Sequence, residues 1–241
     1  MTIKHKTIST QSAEVIKYYN DLNQPCFTFG EVASFLRNSS TDAIKKLMRD
    51  MVKRGLLFRL KDGLYWIIPY EQDANNYFPN WHLAAKYMAG DAGYYIGYYS
   101  AMDVQSLITQ PALVEQIVVN KQIKPAILKI KGIKFQFIYH NTEHFFGTKT
   151  TWIDGFNKVI TSDLEKTFVD CLYKPDYGGG ITEITKALYK SKDKLDYEKL
   201  LSYCKKFTAQ TVIKRLGFLL ELLEIDNPVI SRLQELKTNS Y

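Results

Sequence analysis

His140 and His144 stand four residues apart. On a helix that spacing puts two imidazoles on one face, where they could hold zinc. The zinc-protease pattern needs Glu directly after the first His. Here the acid is Glu143, the stretch follows a strand-like run, and neither His5 nor His82 supplies a third ligand, so no metal site is read. Tyr177-Gly178-Gly179-Gly180 precedes a helical run, and backbone N–H groups at such a place can cradle phosphate. The GxxxxGK[ST] pattern of a Walker loop is absent, so the glycines read as a loop that fixes how two helices meet. Asp163, Glu165 and Asp170 look like a carboxylate cluster. The first two fall in a first helical turn, where acids cap a helix and complement its dipole. Ser100 lacks a GxSxG setting, and none of Cys26, Cys171 and Cys204 has a neighbouring His. No catalytic constellation forms and no cofactor is implied; the chain reads as a non-enzyme.

A different chemistry gathers near the N-terminus. Ser40, Thr41, Lys45, Lys46, Arg49 and Lys53 lie in or beside one helical run from Thr41 to Arg54. Ile44, Leu47, Met48, Met51 and Val52 recur along the same run at i, i+3, i+4, i+7 and i+8, a stripe that seats the helix on a core. The opposite face is basic and hydrogen-bonding. Arg can contact guanine through two hydrogen bonds and Lys pairs with phosphate. A solvated surface would also be basic, so the surrounding elements must decide. Ser9–Asn23 and Phe29–Arg37 read as two preceding helices, Asn38-Ser39-Ser40-Thr41 as an N-cap-rich turn, and Gly55 as the stop of the third helix. Leu56–Leu60 and Leu64–Ile68 then alternate around Lys61-Asp62-Gly63, a hairpin signal in which both central residues are expected at positive φ. Arg59 and Lys61 place positive charge on that hairpin. The order defines a winged helix-turn-helix over residues 28–68, with the third helix in the major groove and the wing on phosphate or in the minor groove.

Residues 71–80 are polar and read as a linker, which gives a DNA-binding domain over 1–70 and a larger α+β domain over 81–241. In the second domain helices are expected at Trp81–Ala89 and Tyr99–Ile108. Strands are expected at Gln116–Asn120, Ala126–Ile130, Ile133–Ile138 and Lys158–Ile160, with a hairpin at Lys131-Gly132. A helix follows from a capping box with Ser162 as N-cap and Glu165 at N3. Further helices are expected at Ile181–Lys190, Tyr197–Lys205 and Ala209–Leu223, then a short terminal helix and a frayed tail. Lys186, Lys190, Lys192, Lys194, Lys199, Lys205, Lys206, Lys214 and Arg215 face only Asp193, Asp196 and Glu198. This second basic stretch reads as a solvated helical surface or as a docking face for an acidic protein or more DNA.

Composition bounds these readings. The chain has 241 residues, 46% of them hydrophobic and 24% charged, which excludes a disordered chain. Residues 1–70 hold 11 Lys and Arg against 6 Asp and Glu, and residues 71–241 hold 21 against 19, so the net charge of +7 is concentrated at the N-terminal end. Three cysteines without a CxxC read as reduced thiols. The first residues lack an apolar signal core, and no apolar run has the length of a membrane span. A protein of the cytoplasm is expected.

With these residues in place the chain resembles the AbiEi antitoxins of bacterial type IV toxin–antitoxin systems, over almost its whole length. The likeness includes Lys53-Arg-Gly-Leu-Leu57, Gly63-Leu-Tyr-Trp66, Tyr95-Ile-Gly-Tyr-Tyr-Ser-Ala-Met102 and Lys214-Arg-Leu-Gly-Phe-Leu-Leu-Glu221. It is sharpest at Ile160-Thr-Ser-Asp-Leu-Glu-Lys-Thr-Phe-Val-Asp-Cys-Leu172 and Lys174-Pro-Asp-Tyr-Gly-Gly-Gly-Ile181. These are similar to S-D-P-E-K-T-L-x-D-C-L followed by P-x-Y-[AG]-G-G-I. Leu164 stands where Pro is common and Phe168 where Leu is common. The resemblance implies a winged helix that binds inverted repeats in its own promoter and represses the operon. It also implies a C-terminal domain that counters a nucleotidyltransferase-like toxin without needing a stable complex. A monomer in solution, with two copies on a palindromic operator, follows from half-site geometry. The residues alone also allow a winged-helix regulator whose second domain senses a ligand, with no toxin partner, or an enzyme that carries a DNA-targeting domain.

Overall fold

In the computed structural model, which describes residues 6–237, the three N-terminal helices all begin at side-chain caps. Ser9 accepts from the N–H of Ser12 ahead of α1 (Thr10–Asp21), and Ser40 accepts from that of Ala43 ahead of α3 (Thr41–Lys53). Thr28 and Glu31 form a reciprocal capping box on α2 (Phe29–Phe35). Such caps satisfy helix N–H groups that have no partner within the helix, each stabilising by about 1 kcal/mol. The α3 stripe packs inward: Ile44, Met48 and Met51 join Val15, Tyr19, Phe27, Val32, Leu56, Leu57 and Ile67 in one core, with Leu47 and Val52 half-buried at its edge.

Three antiparallel strands complete this unit: β1 (Cys26–Thr28), β2 (Leu57–Lys61) and β3 (Leu64–Ile67), in the order β1-β3-β2. β1 was not expected, because three residues running into a capping box show no alternation to read. The hairpin forms as expected, but of its two central residues only Gly63 takes positive φ, at 72°. Asp62 does not need it, because the register shifts between Arg59 and Lys61 and lets the strands close on Gly63 alone. The result is a winged helix-turn-helix.

The chain divides between Met88 and Ala89, not at 71–80. The segment expected as a linker belongs to the first unit because its aromatic side chains bury against the wing sheet. Trp66 donates its indole N–H to the Tyr77 hydroxyl at 2.9 Å, and Phe58 meets Phe78 edge-on at 5.5 Å. α4 (Trp81–Ala89) follows, with Tyr87 edge-on to Trp66 at 5.6 Å.

The second unit, Ala89–Tyr241, holds a six-stranded mixed sheet in the order β6-β7-β5-β4-β9-β8. Its strands are β4 (Tyr94–Ile96), β5 (Val114–Val119), β6 (Ile127–Ile130), β7 (Ile133–Tyr139), β8 (Thr148–Trp152) and β9 (Lys158–Ser162). β4 pairs parallel with β9 and β5 with β7; the other neighbours are antiparallel. β8 was not expected: Thr148-Lys149-Thr150-Thr151-Trp152 lies at the sheet edge, largely exposed, so no apolar face marks it. The helices are α5 (Tyr98–Val104), α6 (Leu164–Tyr173), α7 (Ile181–Ser191), α8 (Tyr197–Phe207), α9 (Gln210–Leu222) and α10 (Val229–Glu235). The N-cap of α6 is Asp163, one residue later than expected; its carboxylate accepts from the N–H of Lys166. The Gly178–Gly180 loop is a close-packed corner: a side chain on Gly179, at φ 78°, would meet the Tyr99 ring at 2.8 Å. The tail at 238–241 lies outside the described residues, as do residues 1–5. Both units mix helix and strand, so the chain is α+β throughout.

Candidate nucleic-acid interface

Ser40 is used by the α3 cap, and the basic residues begin one turn later. Thr41, Lys45, Lys46, Arg49 and Lys53 are all exposed on the face opposite the core stripe. Asp42 stands 3.7 Å from Lys45, with both side chains mostly in solvent, so this is a weak surface pair. No ion pair engages Lys46, Arg49 or Lys53 among the described residues. Lys53 sits in the last turn, where a cation also complements the helix dipole. The helix therefore presents a cationic face on a rigid core, the form a recognition helix takes.

The wing is less uniform than its sequence. Arg59 is exposed and ion-paired with Asp62 across the turn. Lys61 is not a free wing residue: its ammonium donates to the carbonyl of Met88 at 2.8 Å, and burial lowers its pKa. That carbonyl belongs to the last turn of α4, where peptide oxygens lack helical partners. Lys61 thus ties the wing to α4, and only Arg59 offers charge from the hairpin.

The second unit has a buried polar centre whose parts lie far apart in the sequence. Tyr95 on β4 donates to Asp170 at 2.9 Å and accepts from the Lys166 ammonium at 3.0 Å. Lys166 is ion-paired with Asp170 one turn along α6, and neither side chain reaches solvent. His140, just past β7, lies between two tyrosines: Nδ1 is 3.3 Å from the Tyr95 hydroxyl and Nε2 is 2.8 Å from that of Tyr98. With the Tyr95 hydroxyl donating to Asp170, the arrangement closes if His140 carries its proton on Nδ1 and Tyr98 donates to Nε2. Burial pushes the His140 imidazole down to about 4, with Asp170 opposing and Lys166 adding to the fall, so the ring is neutral near pH 7. Burial likewise lowers the pKa of Lys166, and Asp170 works against it. His144 stacks on Phe207 at 3.8 Å, with its Nε2 3.0 Å from the Phe207 carbonyl.

The neighbouring residues continue this network. The Ser162 and Thr167 hydroxyls lie 2.7 Å apart, and Thr167 accepts from Gln105 at 2.8 Å. Asp163 and Glu165 are bridged by Lys199 from α8 at 3.1 and 2.9 Å, and Glu165 also accepts from the N–H of Asp196. Glu165 therefore serves the α6–α8 joint, not a capping box. The segment 162–170, where the sequence is most distinctive, is a largely buried spine whose polar side chains are all hydrogen-bonded or ion-paired, with Leu164 half-buried. It braces α6 against the sheet and against α8.

The basic stretch of α7 to α9 proves divided. Lys199 serves that bridge, and its two carboxylate partners overcome burial to raise its pKa. Arg215 donates to the carbonyls of Leu172 and Tyr173 at 2.5 and 3.2 Å, closing the C-terminus of α6. Lys190 donates to the Ser106 carbonyl at 2.7 Å, and Lys186 pairs with Glu183. Lys206 lies 4.4 Å from the Phe146 ring centroid, and Lys214 is half-buried. Lys194, Lys205 and Lys206 remain largely exposed, Lys206 over the Phe146 ring. The stretch is not one continuous docking face, because several of its charges brace the helices that carry them.

Compared with known protein families and with curated proteins, the chain matches none. Among solved structures it is similar to the RV2827C protein from Mycobacterium tuberculosis, with a TM-score of 0.71 and 15% identity. That likeness covers 98% of this chain and 84% of the other, and it shows a shared fold. No helix among the described residues is long and apolar enough to cross a membrane.

Proposed function

We propose that this chain is a DNA-binding antitoxin of the AbiEi type that represses its own operon. The observation that supports DNA binding most directly is the exposed cationic face of α3, backed by a capped, well-packed three-helix core. In this reading Lys45, Lys46 and Arg49 enter the major groove of an inverted repeat in the chain's own promoter, and Arg59 on the wing rests on phosphate. Two copies occupy the two half-sites of the palindrome, and the protein is monomeric away from DNA. It works in the cytoplasm.

The antitoxin half rests on the sequence resemblance, above all on the segments 160–172 and 174–181. The buried, hydrogen-bonded polar side chains of 162–170 support a structural role for this segment. The second unit then counters a nucleotidyltransferase-like toxin encoded beside it. Co-expression tests this half: the chain should restore growth to cells expressing the neighbouring gene product. Continued growth arrest, with the chain present and folded, would remove the antitoxin reading and leave DNA binding standing.

A further inference from the structure

The net charge of the second unit hides a local extreme. Between Glu115 and Glu143 the chain contains Lys121, Lys124, Lys129, Lys131 and Lys134, and no acidic residue. The structure gathers them on the β6–β7 hairpin and the loop that leads into it. β6 is an edge strand of the six-stranded sheet. Lys129 on β6 lies directly opposite Lys134 on β7 in the antiparallel register, so the two project from the same face. No ion pair engages Lys121, Lys124, Lys129 or Lys134 among the described residues.

Two features of this hairpin work against stability. Like charges directly opposite each other across strands repel, by an amount comparable to what a favourable pair contributes. The tight turn Lys131-Gly132 places both residues at positive φ, 46° and 86°. Asn or Gly suits the first of these positions, and a lysine there adopts a conformation it disfavours. The sequence thus sets lysine where repulsion and backbone geometry both oppose it. Such local conflicts mark places where side-chain chemistry has a use outside the fold.

We infer that the β6–β7 hairpin is a second phosphate-binding surface, which takes the backbone of double-stranded DNA without reading its sequence. The repulsion between the facing Lys129 and Lys134 is relieved by an anion with regularly spaced charges. A duplex supplies one phosphate per about 1.7 Å of axis. Lys is suited to phosphate as a point charge and brings no fixed fork for base edges. The edge position keeps the hairpin open on its outer side. It lies in a different unit from α3 and on different elements from the basic stretch of α7 to α9.

The test measures binding of the full chain to a fluorescent mixed-sequence duplex over a range of salt concentrations. Lys129→Gln with Lys134→Gln should flatten the plot of log affinity against log salt by about 1.8, from roughly 0.9 per lost contact. Thermal stability should hold or rise, since a repulsion has been removed. Lys129→Arg with Lys134→Arg should keep the wild-type slope. Lys45→Ala with Arg49→Ala should leave weak salt-dependent binding, which the added hairpin changes abolish. A folded Gln variant with wild-type slope and affinity overturns the inference. Failure of the α3 reading has a different signature, a wild-type response from the Lys45 and Arg49 variant.

Discussion

Lys166 and Asp170 hold opposite charges where neither meets water. Removing one partner strands the other, which typically costs about 3–5 kcal/mol, whereas replacing both with apolar groups of similar size is often far milder. Lys166→Met should therefore unfold at much lower urea than wild type, and Lys166→Met with Asp170→Leu should recover part of the loss. Additive losses would contradict a coupled pair. His140 adds a pH dependence of known sign. Its folded pKa near 4 lies below the ordinary 6.5, so the unfolded chain takes up the proton first as pH falls. Its contribution is complete above pH 6.5 and is lost between 6.5 and 4, on the order of 3 kcal/mol. A urea midpoint that does not change across that window would contradict a neutral, buried His140. This centre was only partly legible in the sequence. The i, i+4 spacing of Lys166 and Asp170 was there to read, but Tyr95, Tyr98 and His140 reach it from distant positions that only the sheet brings together.

At the scale of elements, capping and periodicity carried the reading and short strands escaped it. The N-cap-rich turn at 38–41, the Gly55 stop, the α3 stripe and the Asp62-Gly63 hairpin each leave a local pattern, and the winged helix follows from them. β1 and β8 take their identity from a hydrogen-bonded neighbour, β3 or β9, so nothing within three to five residues announces them. The wing shows the same limit for single side chains. Arg59 and Lys61 look equivalent in sequence, yet one lies open and the other closes the end of α4. Arg59→Ala should flatten the salt dependence of DNA binding by about 0.9. Lys61→Met should leave that slope unchanged and destabilise the first unit by about 1 kcal/mol, through the lost hydrogen bond. Equal effects on the slope would show that Lys61 leaves Met88 to meet DNA.

For the molecule as a whole, average charge was a partial guide. It identified the first unit as the cationic end, but it concealed the lysine-rich hairpin because acids elsewhere in residues 71–241 balance it. It also made α7 to α9 look like one surface, although Lys199 is held by Asp163 and Glu165 and Arg215 by the last carbonyls of α6. The domain boundary moved for a comparable reason: polar residues at 71–80 suggested a tether, and Tyr77 and Phe78 decided the packing. The two units differ in build: the first exposes a cationic helix face over a small apolar core, and the second builds its core around a buried polar cluster.

The exposed face of α3 is the centre of this account, and one titration tests it most directly. A labelled duplex from upstream of the chain's own gene is titrated, at fixed salt, with wild-type protein and with the Lys45→Ala, Arg49→Ala variant. Two lost groove contacts, at about 1–3 kcal/mol each, predict binding weaker by roughly a thousandfold, with circular dichroism and thermal midpoint unchanged. Undiminished binding by the folded variant would contradict the assignment of α3 as the recognition helix.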